Sequence, residues 1–297
     1  MWFKNLKLYR FTSEFKIDDE TLQTMLESMT FHPCSSQETA SMGFVSPIPK
    51  AENLYHKANL DYLFCLKREQ KLLPASVVNS ELSLKIGEIE LDTGSPVPKK
   101  AQKDLKEEIT QRLLPRAFSK FGHTQGFISI DQQILIVDAS SDSSAEVFLA
   151  CLRKALGSLP VVPLAKSQQQ QVLTNWVVDK TPAPFELMDE AEFQSSAEDG
   201  GIIRCKKQEL NADEVLSHIE AGKLVHKLAV NYDEKLTCII EDDLSIKRLK
   251  FTDIVKEQTE DIPKEEVAAK IDADFVLFAN ETKTLVKALQ DVFELSE

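Results

Sequence analysis

The sequence predicts an α+β fold in which mixed, mainly antiparallel sheets are flanked by helices. Segments of alternating apolar and polar residues, typical of strands, are mixed along the chain with segments whose apolar residues recur every three or four positions, typical of helices. The two kinds of segment do not follow the regular strand–helix–strand order that a parallel sheet requires. Two pairs of strand-like segments are separated only by a short turn, which favours antiparallel hairpins.

The N-terminal half begins with a strand-like segment over residues 2–11, which alternates from Leu6 onward. A helix with Asp18 or Asp19 as its N-cap follows, and Gly157 is expected to end a later helix. The other elements predicted in this half are a strand or loop over 42–50, a strand over 62–68, an amphipathic stretch over 77–91, a linker over 93–100, a helix over 101–114, a hairpin of 126–130 with 133–138, a helix over 143–156 and an extended segment over 159–164.

The C-terminal half is also predicted to be α+β. Pro and Gln accumulate between residues 165 and 185, which predicts a boundary between an N-terminal region, 1–170, and a C-terminal region, 171–297. The elements predicted after it are a helix over 172–179, a strand over 202–207, a helix capped by Asn211, a strand over 223–232, a hairpin of 235–241 with 245–251, a helix over 263–271, a strand over 275–278 and a terminal helix over 283–293.

Composition excludes several classes of protein. An apolar fraction of 42% in 297 residues allows a sizeable core, and no run approaches the roughly 18 to 20 apolar residues of a membrane helix. The first residues carry no apolar signal region, so we expect a cytoplasmic protein without a membrane partner. The five cysteines form no CxxC pair, and apolar neighbours predict that Cys65, Cys151 and Cys238 are buried free thiols.

Motifs that would indicate catalysis or a cofactor are absent from the sequence. It contains no phosphate-binding glycine loop, no GxSxG and no HExxH, and His218 and His226 do not have a zinc-ligand spacing. Asp242 and Asp243 could form half of a two-metal nuclease site, but they lie at a predicted hairpin turn, where Asp is an ordinary residue. We therefore predict a protein that is not an enzyme and holds neither a metal nor a cofactor.

The charge distribution identifies a first candidate binding segment. A net charge of −13 argues against nucleic acid, but a binding surface depends on local charge. Between residues 99 and 124, seven basic residues face three acidic ones, so this segment carries +4 and the rest of the chain −17. Lys99, Lys100, Arg116 and Lys120 are candidate DNA contacts there. The alternative is a solvated helix with ordinary pairs four residues apart.

Aromatic and basic residues interleave in the stretch that follows Pro115. Phe118 lies between Arg116 and Lys120, where it could stack on a base, pack against a partner subunit or enter the core. Two further basic segments, 204–208 and 247–250, lie on predicted strands, where lone basic runs are usually solvated edges. In the second of them, strand alternation predicts Lys247 and Arg248 on opposite faces of the sheet.

These segments resemble the RdgC family of recombination-associated proteins along almost the whole chain. The segments that carry the resemblance are 2–6, 31–34, 113–119, 156–164, 198–201, 206–208, 218–223, 247–251 and 272–275. Several of them are long and unusual in composition, so chance is a poor explanation.

The resemblance implies a homodimer that closes into a ring and binds double- and single-stranded DNA without sequence preference. It also implies restraint of RecA-driven strand exchange, a role in recombination and replication-fork repair, and a nucleoid-associated location. A basic helical finger near 75–125 would project near one ring contact, and 206–208 would face the hole. The DNA-binding residues predicted on both grounds are Lys99, Lys100, Arg116, Phe118, Lys120, Arg204, Lys206, Lys207, Gln208, Lys247 and Arg248.

Two alternatives remain open from the sequence. The chain could be a protein-interaction module that contacts RecA directly, with DNA binding secondary. It could also be a metal-dependent nuclease, built around Asp242 and Asp243.

Overall fold

The structure, a computed structural model, describes residues 2–195, 200–263 and 266–295. The predicted α+β class is confirmed: twelve strands form one mainly antiparallel sheet, which eight α-helices flank within these ranges. The sequence analysis expected more than one sheet, and here the structure differs. In the part of the chain described, no helix is long and apolar enough to cross a membrane.

Most elements of the N-terminal half were predicted, but a strand over 55–58 and residues 118–125 of a strand that begins at Phe118 were not. The elements are β1 (Leu6–Phe11), α1 (Asp19–Glu27), β2 (Ala40–Val45), β3 (Tyr55–Ala58), β4 (Asp61–Leu72), α2 (Ala75–Thr93), α3 (Lys99–Leu113), a 3₁₀ turn (Leu114–Arg116), β5 (Phe118–Ser129), β6 (Ile134–Asp138), α4 (Asp142–Leu156) and β7 (Val161–Pro163). Asp18 caps α1 by accepting a hydrogen bond from the backbone of Thr21, and Gly157 ends α4 with a φ of 73°. Asp18 is one of the two N-caps that the sequence predicted, and the helix end at Gly157 is confirmed.

The C-terminal half departs from the prediction in three places. Its elements are α5 (Gln170–Val178), β8 (Phe185–Ser195), β9 (Ile202–Lys206), α6 (Asp213–Glu220), β10 (Lys223–Tyr232), β11 (Leu236–Glu241), β12 (Ile246–Phe251), α7 (Asp253–Glu257) and α8 (Val267–Val292). The first departure is that neither the acidic strand β8 nor the short helix α7 was predicted. Asn211 does not cap α6, because the N-cap position is Ala212.

The third departure is α8, which replaces a predicted strand over 275–278 and a separate helix over 283–293. Phe275, Phe278 and Ala279 are buried and recur every three or four residues, which places them on one helix face. A short apolar run has no period of its own, so the sequence could not distinguish strand from helix there. The predicted helix over 263–271 includes two residues outside the described ones, 264 and 265, and its residues 267–271 belong to α8.

The sheet is continuous across the two halves of the chain. Its order is β2-β4-β5-β6-β1-β12-β11-β10-β8-β9, with β3 added on β4 and β7 on β1. β1 makes the connection, since it pairs with β6 (Leu8 opposite Ile136) and with β12 (Leu6 opposite Ile246). The division into regions 1–170 and 171–297 stays a prediction.

Two apolar clusters cover the two faces of this sheet. Successive strand residues point to opposite faces, so Phe127 packs in the cluster that includes Phe275 of α8, whereas Ile128 packs in the cluster that includes Phe148 of α4. The helices α5, α6 and α8 contribute to the first cluster, and α1 and α4 to the second. Cys65, Cys151 and Cys238 are buried free thiols, as predicted.

Strands β4 and β5 pair over their whole lengths, from Asp61 opposite Ser129 to Leu72 opposite Phe118. The helices α2 and α3 connect the ends of these strands and pack against each other. Each of the two helices has a single buried residue, Val78 in α2 and Ile109 in α3. We call this pair of helices the helical hairpin.

Candidate nucleic-acid interface

Five strands of the C-terminal half line a cavity of about 330 Å³ on the sheet face opposite α5, α6 and α8. Ala191 and Ile239 are among the residues that line it. Its walls are charged, and we call these eight side chains the charged cavity: Arg204, Lys206, Lys227, Lys247, Arg248, Glu190, Glu192 and Glu241. Five cations face three carboxylates, which leaves two unbalanced positive charges on a chain whose net charge is −13.

Antiparallel pairing builds a row of alternating charge across these strands. Glu192 of β8 lies opposite Arg204 of β9 and Lys227 of β10, and Lys227 in turn lies opposite Glu241 of β11. The nitrogen-to-oxygen distances are 2.6 Å for Arg204–Glu192, 3.8 Å for Lys227–Glu192 and 3.1 Å for Lys227–Glu241. Lys247 of β12 completes the row, 3.4 Å from Glu241. Cross-strand pairs of this kind stabilise a sheet by roughly 0.2–1 kcal/mol each.

A second ion-paired group lies beside this row. Glu190 of β8 binds Arg248 at 2.7 Å and Lys206 at 3.7 Å. The hydrogen bond from Arg248 lowers the pKa of Glu190, so this carboxylate is ionised at neutral pH.

A β-bulge explains why Lys247 and Arg248 line the same cavity, where the sequence predicted opposite faces. Ile239 pairs with Lys247, but the next pair along the strands is Thr237 with Lys250, so β12 carries one extra residue. Arg248 is that residue and has a φ of 51°. A bulge redirects the side chain at the extra position, which simple alternation cannot anticipate.

The charged cavity brings together four predicted residues, Arg204, Lys206, Lys247 and Arg248. The sequence analysis missed its other charged members. Lys227 and the carboxylates of β8 and β11 could be found only from the strand pairing, because partners such as Glu192 and Lys227 are 35 positions apart in the chain.

Lys207 and Gln208 lie just beyond the charged cavity. Lys207 is exposed in the bend after β9 and has a φ of 55°. The side-chain amide of Gln208 donates to Glu214, and its backbone N–H donates to the Asp189 carbonyl at 3.3 Å. Gln208 is therefore held by α6 and β8, whereas Lys207 extends into solvent.

The remaining predicted residues are exposed on or beside the helical hairpin. Lys99 and Lys100 occupy the first turn of α3, and Arg116 lies in the 3₁₀ turn. Phe118 is 84% exposed at the start of β5, and the nearby Lys120 is exposed as well. The possibility that Phe118 belongs to the core does not hold.

Phe121 takes part in a cation–aromatic group that the sequence analysis did not identify. The Lys67 ammonium lies 5.0 Å from the centroid of the Phe121 ring and 4.5 Å from that of Phe31. Phe121 remains 53% exposed. Such contacts contribute about 0.5–1 kcal/mol at exposed sites.

Asp242 and Asp243 form the turn of the β11–β12 hairpin, as the sequence favoured, and they have separate partners. The Asp243 carboxylate accepts from Lys7 at 2.9 Å and from the backbone of Ser245 at 2.8 Å. Asp242 is buried, and its carboxylate lies 2.9 Å from Nδ1 of His226. Burial raises the pKa of Asp243, but its hydrogen bonds outweigh burial and lower the pKa overall. No group of three or more metal-ligating side chains occurs within the described ranges.

Fold and site together define an acidic α+β protein with a concentration of cations on one sheet face, the electrostatic arrangement expected of a polyanion-binding protein. A family model described as "RdgC: Putative exonuclease, RdgC" matches residues 1–296. The chain therefore belongs to the RdgC family, as the resemblance indicated.

Similar proteins cover the whole chain and carry the printed name "Recombination-associated protein RdgC". The relative from Pseudoalteromonas atlantica is 48% identical over 100% of this chain and 99% of its own length. The relative from Psychromonas ingrahamii is 45% identical over 99% of this chain and 98% of its own length. The relative from Shewanella oneidensis is 44% identical over 97% of this chain and 96% of its own length. These names describe association with recombination and no catalytic activity.

Proposed function

We propose that this protein binds DNA without sequence preference and acts in recombination. The observation that carries the proposal is the charged cavity, with its surplus of cations on an otherwise acidic chain. Arg and Lys bind phosphate oxygens, which are the same at every base pair, so contacts of this kind carry no sequence code. The relatives' printed names supply the association with recombination.

The row of charged side chains is long enough to face several phosphates. Strands lie about 4.8 Å apart, so a row across five strands spans about 19 Å. Duplex DNA carries one charge per roughly 1.7 Å of its axis, or about eleven charges over that length. Two surplus cations cannot balance them, and we infer that Lys207 and the basic residues Lys99, Lys100, Arg116 and Lys120 contribute further contacts.

The proposal extends to a homodimer that encloses either double- or single-stranded DNA. The exposed Phe118 and the scant burial of the helical hairpin support a role for the hairpin as a projecting finger, because an exposed aromatic side chain between cations fits a base or a second subunit. Occupation of DNA by such a dimer at the nucleoid would restrain RecA-driven strand exchange. Direct contact with RecA is the alternative, and RecA binding in the absence of DNA would distinguish the two.

The test is a salt titration of binding to two unrelated duplexes and to their single strands. We expect affinity to fall steeply with salt and equally for both sequences. Arg248→Gln should weaken binding several-fold for every sequence and reduce the salt slope by about one. Lys256→Gln, which makes the same charge change on α7, is the matched control and should alter affinity much less.

A flat salt response, or a preference for one duplex, would contradict the proposal. The family model's printed description makes a cleavage control worthwhile. The same DNA incubated with Mg²⁺ or Mn²⁺ is expected to keep its length.

A further inference from the structure

Every cation of the charged cavity is bound to a carboxylate of the same chain. Glu192 holds Arg204 and Lys227, Glu241 holds Lys227 and Lys247, and Glu190 holds Lys206 and Arg248. The three carboxylates come from two strands, β8 and β11, which lie between the strands that carry the cations. A polyanion that reaches this face therefore meets cations that already have partners.

The carboxylates and a phosphate would compete for the same groups. A guanidinium or ammonium binds carboxylate and phosphate oxygens with similar geometry, at about 2.7–2.9 Å. The Glu192 side chain is only 12% exposed, whereas that of Arg204 is largely exposed. The cation can therefore turn toward solvent, while the carboxylate stays in the sheet and repels an incoming phosphate.

We propose that Glu190, Glu192 and Glu241 set the DNA affinity of this protein by competing with phosphate for the cavity cations. The inference rests on the proposed function and assigns these carboxylates an intramolecular competing role. Each phosphate contact then requires an ion pair to break, which keeps binding weak and reversible. A protein that binds DNA without sequence preference can slide and hop along it when its contacts are weak.

The alternative role for these carboxylates is to hold the cations in a geometry that favours DNA. The two roles predict opposite results when a carboxylate is neutralised. Loss of competition strengthens DNA binding, whereas loss of positioning weakens it.

The experiment compares Glu192→Gln with Glu186→Gln. Glutamine has the size of glutamate and can still accept from Arg204, but it lacks the charge. Glu186 lies on the same strand, outside the charged cavity, where it accepts from Asn231 at 3.2 Å, so its replacement makes the same change in net charge. Binding to one linear duplex is measured over a range of salt, and thermal unfolding of each variant shows that the fold is kept.

We expect Glu192→Gln to bind DNA about three- to tenfold more tightly, with a steeper salt dependence, and Glu186→Gln to change affinity less than twofold. Equal effects of the two variants would indicate net charge alone, and weaker binding by Glu192→Gln would indicate positioning; either result overturns the inference. Should Glu192→Gln fail to fold, Glu190→Gln, at a more exposed carboxylate, decides by the same criteria.

The proposed function and this inference can fail separately. Wild-type protein without salt-dependent DNA binding would reject both. Wild-type protein that binds DNA, together with a Glu192→Gln variant that binds no more tightly than Glu186→Gln, would reject the inference alone.

Discussion

Most of the surface of Phe118 makes no contact within one chain. It is 84% exposed, lies opposite the exposed Leu72 and has Arg116 and Lys120 close by in sequence. A single exposed aromatic residue is not unusual, but one between two cations matches the requirements of base stacking or subunit contact. Its contribution should therefore be to binding and not to folding.

Phe118→Ala is expected to change the free energy of unfolding by less than about 0.5 kcal/mol, because little surface is buried there. The same variant should weaken DNA binding or subunit association. Urea unfolding measures the first effect, and a DNA titration with sedimentation measures the second. The control is Phe127→Ala at a fully buried position, which should cost about 3–5 kcal/mol. A loss of stability in Phe118→Ala comparable to that control would show that Phe118 supports the fold.

The candidate residues differ in how far the sequence could identify them. Basic runs such as 204–207 stand out from an acidic background, so the sequence alone could propose their cations as candidates, and the structure places Arg204 and Lys206 in the charged cavity. The partners of these cations could not be proposed from the sequence, because Glu192 and Lys227 become neighbours only through the pairing of β8 with β10. The orientation of the Arg248 side chain depends on a β-bulge, which the local sequence pattern does not predict.

Among the secondary-structure elements, α8 contacts elements from both halves of the chain. At its N-terminal end Asp272 lies 2.8 Å from His56 of β3, and at its C-terminal end Phe293 packs on Trp176 of α5. Between them Lys283 reaches the buried Asp61 at 2.9 Å. Burial lowers the pKa of Lys283, but the hydrogen bonds and negative charges of Asp61 and Asp131 together outweigh burial and raise the pKa overall.

Lys283→Met is expected to destabilise the protein by about 3–5 kcal/mol, because it leaves Asp61 buried without its cation. Since the pKa of Lys283 is raised above 10.5, this stabilisation is fully present at neutral pH and is lost only as pH rises through the folded-state pKa. Chemical denaturation at pH 7 measures the loss. Lys287→Met, at an exposed position of the same helix, should cost less than about 0.5 kcal/mol. Adding Asp61→Asn to Lys283→Met should recover part of the stability; no recovery would mean that the two side chains are not coupled.

Helices and strands with a capping residue at an end and a regular spacing of apolar residues could be predicted from the sequence. Elements without these features could not. Asp18 and Gly157 marked helix ends correctly, because their chemistry acts within a few residues. The run over 275–278 was assigned to a strand because it is short, apolar and aromatic, whereas the structure buries it on one face of α8. Its conformation is decided by packing against the N-terminal strands, which lie far away in sequence.

At the scale of the whole molecule, charge separation is the property most relevant to function. The chain carries −13 overall, so we expect most of its surface to repel DNA and the proposed attraction to come from the charged cavity and the basic residues near the helical hairpin. A surface patch and an enclosed hole would both give salt-dependent affinity. They differ in how DNA dissociates: it can leave an open surface at any point along its length, whereas it can leave a closed ring only through a free end.

We therefore expect the protein to have twice the mass of one chain in solution and to stay on closed circular DNA after a rise in salt. If the dimer surrounds DNA, breaking the ion pairs does not release a circle, whereas a linear molecule of the same sequence slides out through its ends. The measurement loads protein on both forms at low salt, raises the salt and counts the protein that remains. Glu192→Gln should increase loading on both forms without changing their difference, because the carboxylate affects affinity and not closure. Equal release from circle and line would mean that DNA binds on an open surface, and the ring would have to be abandoned while the charged cavity could stand.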